Sequence, residues 1–362
     1  MNDNVWILIA QLIVVILAIY MGTRTSGIGL GVWGLVGVAV LIFVFGEAPG
    51  NAPVDAVFIV ITVITAASTM QAAGGIDWMV SVAAKVIRRK PKSVVFLAPA
   101  MSFLFTVGAG TGNIFYPLLP VIYDVSYQQK IRPERALSVS AVASQVGILC
   151  SPVSAATASM VVLLAPQGVD LGGLLLIMWP ASIAGLFVAA LVMMRHGKDL
   201  EDDPEFQRRL ESHQIKPPVV DAHDTKLPRT AVLSAALFLI GVGVIVLFGL
   251  FEGLRPVIGT EDAGDPVRLS VTVIIEVVMG IIAALIFVFC KVKAADVPKQ
   301  PTFPAGIVGA IALFGIAWLA NTFVAANQTL IVDGLGSVVS GSSAFLGALL
   351  LSLIHISEPT RL

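Results

Sequence analysis

The chain reads as an all-α, polytopic helical membrane protein with broken helices or re-entrant hairpins. Three observations carry that reading. Of its 362 residues, 57% are hydrophobic and 12% charged, and the mean hydropathy of +0.93 is more apolar than a soluble domain requires. The apolar residues fall in runs close to the ~20 that span hydrocarbon. Lys and Arg gather in alternate loops between those runs, the pattern that fixes orientation in a bilayer.

The spans are Val5–Met21, Gly27–Phe45, Val54–Ala73, Ser93–Gly108, Ile114–Tyr127, Ala136–Leu164, Gly173–Met194, Thr230–Phe251, Leu269–Cys290 and Phe303–Ala325, with an eleventh starting near Ser343. The first is preceded by Met1-Asn2-Asp3-Asn4, with no basic flank and no small-residue cleavage site, so it is a retained span and not a signal peptide. Ile114–Tyr127 is too short to cross alone and forms a hairpin or a broken pair with Ser93–Gly108. Ala136–Leu164 is too long for one straight helix, and Pro152 should break it near Ser151.

The loops Lys85–Lys92, Lys130–Arg135, Arg195–Arg229 and Lys291–Lys299 are basic, whereas Glu47–Asp55 and Pro166–Gly172 hold no Lys or Arg. With the short Thr23–Ser26 turn, the basic set contains all the cations except Arg255, Arg268 and Arg361. Placing these loops in the cytoplasm alternates strictly if Ser93–Tyr127 enters and returns, and it puts the N-terminus in the periplasm. Ile76–Arg89 is amphipathic, either an interfacial helix or the anchored end of a span. Residues 195–229, with four prolines and both signs of charge, form a hydrophilic linker between a first membrane half (1–194) and a second (230–350).

Gly110-Thr111-Gly112-Asn113 is the first candidate site. Glycines unwind the helix and bare its N–H groups, and backbone freed at membrane depth is tolerated only against protein or a water-filled cavity. A half-helix starting at Asn113 would present its positive end to a carboxylate; without a ligand the motif is a packing turn. The second candidate is Gln145 with Ser151-Pro152-Val153-Ser154, where hydroxyls stand beside backbone released by the proline; the alternative is a plain kink. Discontinuous helices of this kind bind anionic solutes in carriers. Ser68, Thr69 and Gln71 either line the same cavity or serve packing and capping. Glu276, an ionisable group in an apolar span, is a candidate for a coupling proton. Asn321 lines the pathway or caps its helix, as does Asn327.

No enzyme constellation is evident. His196, His213, His223 and His355 lie in the linker or tail without metal-ligand spacing, and no phosphate-binding glycine motif occurs. No cofactor, metal or nucleic acid is called for, so transport would be secondary. A membrane-embedded lipid-modifying enzyme would have to rely on Asp202-Asp203 and Glu276; a non-transporting sensor subunit would show no flux. Cys150 and Cys290 sit in apolar runs as small core residues.

At these residues the chain resembles the anaerobic C4-dicarboxylate uptake family of the DcuA/DcuB type. The resemblance is carried by Gly74-Gly75-Ile76-Asp77, Gly110-Thr111-Gly112-Asn113, Leu119-Pro120-Val121-Ile122-Tyr123-Asp124-Val125 and Ile131-Arg132-Pro133-Glu134-Arg135. It continues through Ser151-Pro152-Val153-Ser154, Gly197-Lys198-Asp199-Leu200, Glu205-Phe206-Gln207 and Gly315-Ile316-Ala317-Trp318. It implies a bacterial inner-membrane carrier of fumarate, succinate, malate and aspartate, working by exchange or by uptake with protons or another cation in anaerobic metabolism. It implies two inverted halves that each give a broken segment to one site, and in some members contact with a sensor kinase; a homo-oligomer is a candidate assembly, and the sequence leaves the oligomeric state open. Asn113 departs from the family's His after Gly-Thr-Gly, which leaves substrate preference open. Residues 351–362 match the translation of a transposon adapter, so the tail is expected to be non-native and the second repeat incomplete.

Overall fold

The computed structural model describes residues 2–164, 167–212, 227–260, 266–328 and 330. The expected tail at 351–362, the eleventh span and most of the linker's middle lie outside the described residues. Thirteen described α-helices carry the fold, and seven of them are long and apolar enough to cross a membrane. The chain forms two compact units, one of Met1–Ile61 with the segment from Ala305 onward, the other of Thr62–Pro304; these cut across sequence order.

The first unit holds α1 (Asn2–Thr25), α2 (Gly29–Phe43), the start of α3 (Val54–Ala72) and most of α13 (Thr302–Ala326). Its core gathers Ala18, Val38, Leu41 and Leu319. Glycine sets the closest approach: a Cβ on Gly31 would lie 2.1 Å from the Ile311 carbonyl oxygen, and one on Gly315 1.9 Å from that of Gly31. In lipid, where burial gives helices little reason to associate, such backbone contact holds them together. At 15 residues α2 is about 22 Å long, short of the ~30 Å hydrocarbon core. The loop that follows is tied to α13: Trp318 Nε1 donates to the Gly50 carbonyl (2.9 Å) and Asn321 Nδ2 to that of Asn51 (2.8 Å). The buried Gln11 donates to Glu47 (2.7 Å) and accepts from Asn327 (2.5 Å).

The second unit holds the end of α3, then α4 (Gly75–Arg89), α5 (Val94–Ala109), α6 (Phe115–Gln128), α7 (Pro133–Leu149), α8 (Ala155–Leu164), α9 (Leu171–Met194), α10 (Pro204–Glu211), α11 (Arg229–Leu250) and α12 (Val271–Cys290). A hairpin of β1 (Val257–Thr260) and β2 (Pro266–Arg268) precedes α12. α9 exposes Leu176, Ile177, Phe187 and Val192, a surface that suits lipid and not water.

Two cavities bring segments of this unit together. Arg88 and Pro91, ahead of α5, share a cavity of about 210 Å³ with Asp124 and Gln128, near the end of α6. So α5 enters and α6 returns, which makes the pair a hairpin. A second cavity of about 430 Å³ brings Asp77 together with Thr230, Lys291 and Lys293. α4 runs from one cavity to the other, burying Ile76, Met79, Ala83 and Ile87.

Polar staples close both ends. Arg135, almost fully buried, donates to the carbonyls of His196 (2.7 Å) and Gly197 (2.8 Å) and to Asp199 (2.7 Å). Lys130 pairs with Glu201, and Arg132 with Asp203 at 3.2 Å. Asp203 also caps α10 by accepting from the amides of Glu205 and Phe206, so this acid is structural. At the other end Arg255 reaches Asp170 (3.1 Å) and the Phe248 carbonyl (2.8 Å), while Arg268 reaches the Gly253 carbonyl (2.9 Å). Arg255 and Arg268, two of the three cations that stand apart from the basic loops, thus fasten a loop.

Candidate functional site

The first break begins where α5 ends. Gly110 caps the helix at φ +69°, a left-handed conformation that an L side chain adopts only at a cost. One 3-10 turn, Gly112–Ile114, turns the chain into α6. The second break spans Cys150–Ser154, between α7 and α8. Proline at 152 denies an amide to the ladder, and the helix stops at Leu149, just ahead of it.

The two breaks meet. A Cβ on Gly110 would lie 2.9 Å from the Val153 carbonyl oxygen; one on Gly112 would lie 3.3 Å from Ser144 Oγ and Ile148 Cδ1 and 4.0 Å from Gln145 Nε2. Ser144 Oγ donates to the Gly112 carbonyl at 3.4 Å and shares a 3.1 Å hydrogen bond with Thr106 Oγ1. Because Gly110 at the end of α5 meets Val153 beyond the end of α7, α5 and α7 run parallel. From Val94, Gly110 is about 24 Å along α5, within the thickness of a bilayer. The N-terminal turns of α6 and α8 therefore open beside one another, and their first amides lack intrahelical partners.

The expected residues fall into two sets. Gly110, Thr111, Gly112, Gln145 and Val153 surround the junction; Gln145 is exposed and Thr111 half-buried. The backbone of Asn113 lies in the 3-10 turn, and its side chain lies outside what is described. Ser151 and Ser154 are at the junction but buried, and both hydroxyl oxygens accept from main-chain amides. Ser151 Oγ accepts from the Val153 amide (3.3 Å), and Ser154 Oγ from the Thr157 amide (3.1 Å) as the cap of α8. Thr157 Oγ1 in turn donates to the Leu149 carbonyl (2.9 Å), and Trp179 Nε1 to that of Cys150 (2.8 Å). These bonds hold the break open in one shape.

The second set stands elsewhere. Thr69 bonds back to the Thr65 carbonyl (2.7 Å), Gln71 accepts from the Thr302 amide (3.3 Å), and Ser68 is buried without a partner among the described residues. Glu276 is half-buried on α12. Asn321 belongs to the loop fastening of the first unit. Sequence reasoning missed Thr106 and Ser144; the four-residue spacing Ser140–Ser144, one step from Gly147, was the available signal. Among the described residues, no group of three His, Cys, Asp or Glu could hold a metal.

A family model described as anaerobic C4-dicarboxylate membrane transporter matches residues 7–357. Named relatives agree. The C4-dicarboxylate transporter DcuA of Escherichia coli K12 is 37% identical over 335 residues, covering 92% of this chain and 76% of that protein. The anaerobic C4-dicarboxylate transporter DcuB of Escherichia coli O157:H7 is 36% identical over 338 residues, covering 91% and 74%. The DcuA of Helicobacter pylori J99 is 36% identical over 316 residues, covering 87% and 70%. The chain belongs to the family of anaerobic C4-dicarboxylate membrane transporters.

Proposed function

We propose that the chain carries C4-dicarboxylates such as fumarate, succinate, malate and aspartate across the bacterial inner membrane by secondary transport, and that the dianion sits where the two breaks meet. The observation that carries this reading is the approach of Gly110 and Gly112 to Val153 and Gln145 within an apolar bundle. Two helix N-termini and glycine-bared amides supply donors without a charged side chain. Each hydrogen bond to a charged group is worth about 1.5–3 kcal/mol. A few of them, offset by desolvation, reach the 4–8 kcal/mol of millimolar to micromolar binding, weak enough for release. The proposed orientation puts the basic loops in the cytoplasm and the N-terminus in the periplasm. Residues 1–194 would supply this break pair, and the half beginning at residue 230 its inverted counterpart.

The test is counterflow of labelled fumarate, succinate and citrate in liposomes carrying the protein. Fumarate and succinate should exchange and citrate should not. Asn113→Ala and Gln145→Ala should abolish exchange at normal membrane expression. Undiminished exchange in both variants would move the site elsewhere.

A further inference from the structure

We infer that α5 and α7 hold a sodium-type monovalent cation beside the dicarboxylate, at Ser102 and Ser140. This rests on the reading of the breaks as the dianion site. Thr106 and Ser144, one bonded to the other at 3.1 Å, mark one level of contact between the two parallel helices. One turn toward the basic end, four residues back on the same faces, stand Ser102 and Ser140. Both are 0% exposed, and neither hydroxyl has a hydrogen-bond partner among the described residues. A helical serine normally bonds back to a carbonyl in the preceding turn; these two do not. Burying a polar oxygen without a partner is costly, and here two such oxygens fall on one level of one interface.

Oxygen is the ligand of hard cations, and a set of neutral hydroxyls suits a single positive charge. Serine and threonine do not titrate in the physiological range, so these groups would not store a proton. A lone cation in this medium would be expensive. The dianion at Gly112, linked through Ser144 to Thr106, supplies the compensating charge. Cation and dicarboxylate would therefore each raise the other's affinity, and that reciprocity is coupling.

The measurement is the melting temperature of the purified chain, together with its fumarate affinity, in sodium, potassium or choline chloride at equal ionic strength. Sodium should raise the melting temperature and lower the fumarate Kd about tenfold, in the range typical of coupled sites; choline should do neither. Ser102→Ala and Ser140→Ala should lose the sodium effect yet, in choline, melt at or above the parent because an orphaned hydroxyl has gone. A parent indifferent to sodium, or variants that keep its effect, would overturn the inference. Fumarate counterflow without a sodium response would overturn the cation site and leave the transport reading standing; a sodium-dependent melt without dicarboxylate counterflow would do the reverse.

Discussion

Gly110 and Gly112 permit a test in which stability and transport separate. In Gly110→Ala the methyl group pays twice. Its φ of +69° costs an L residue about 1–2 kcal/mol. Its Cβ would also lie 2.9 Å from the Val153 carbonyl oxygen and 3.0 Å from Val153 Cγ2, an overpacking that costs about 1–3 kcal/mol. The total is about 2–5 kcal/mol, and relief comes by pushing the two breaks apart. Gly27→Ala pays only the conformational part: its φ is +56° and nothing lies within 4 Å. Gly112 is outside the left-handed region, and its Cβ would meet neighbours at 3.3 Å and beyond, so Gly112→Ala should cost under about 1 kcal/mol. Stability by thermal melting should therefore fall most in Gly110→Ala, less in Gly27→Ala and least in Gly112→Ala. Fumarate counterflow should rank differently. Both junction variants lose at least one hydrogen bond to the dianion, about 1.5–3 kcal/mol, which raises the half-saturating concentration roughly ten- to a hundredfold. Gly27→Ala should transport as the parent does. Counterflow loss that merely tracks melting temperature, or normal counterflow in Gly112→Ala, would refute the assignment of the junction.

Three further outcomes follow from the packing. Arg135→Ala leaves Asp199 and two carbonyls without their donor and should cost about 3–5 kcal/mol; lysine cannot restore the forked geometry, so Arg135→Lys should recover only part of it in the same melt. Ser154→Ala removes the cap of α8 and should cost about 0.5–2 kcal/mol, with faster amide exchange at Thr157. Desolvation in the larger cavity pushes the Asp77 carboxyl above its ordinary 3.8. The folded chain then keeps a proton that the unfolded chain releases as pH rises past that value, so stability contributed at Asp77 declines as pH climbs through the window; Asp77→Asn should flatten that decline in melts recorded across acid to neutral pH.

The spans and both breaks were legible because their causes are local. Glycine at 110 and 112 and proline at 152 interrupt a helix whatever surrounds them, and the sign of each loop fixed the return of α6. The long-range partners were not legible. Gly31 meets Gly315, and Trp318 meets Gly50, across more than 250 residues, and no periodicity in either segment announces the other. Ser151 and Ser154 show the subtler limit. Their hydroxyls stand at the break as the sequence implied, but a freed backbone needs capping, and in this structure those hydroxyls supply it. α10 and the β-hairpin escaped because a cap such as Asp203 or a three-residue strand leaves too short a pattern in a polar loop.

That occupation of hydroxyls has a consequence for selectivity. With Ser154 and Thr157 donating inside the break, the donors left at the junction are chiefly backbone amides, whose reach is set by helix geometry and not by rotamers, beside the Ser151 hydroxyl and the Gln145 side chain. Fixed amides read the spacing between two carboxylates more than the chemistry of the carbons between them. Fumarate, succinate and malate should therefore compete within a narrow affinity range, whereas a shorter or longer dianion should lose one end and the roughly 1.5–3 kcal/mol that each charged hydrogen bond provides. A competition series of malonate, succinate and glutarate in counterflow reads this directly: equal inhibition by all three would mean that a mobile side chain, and not the two helix ends, holds the second carboxylate.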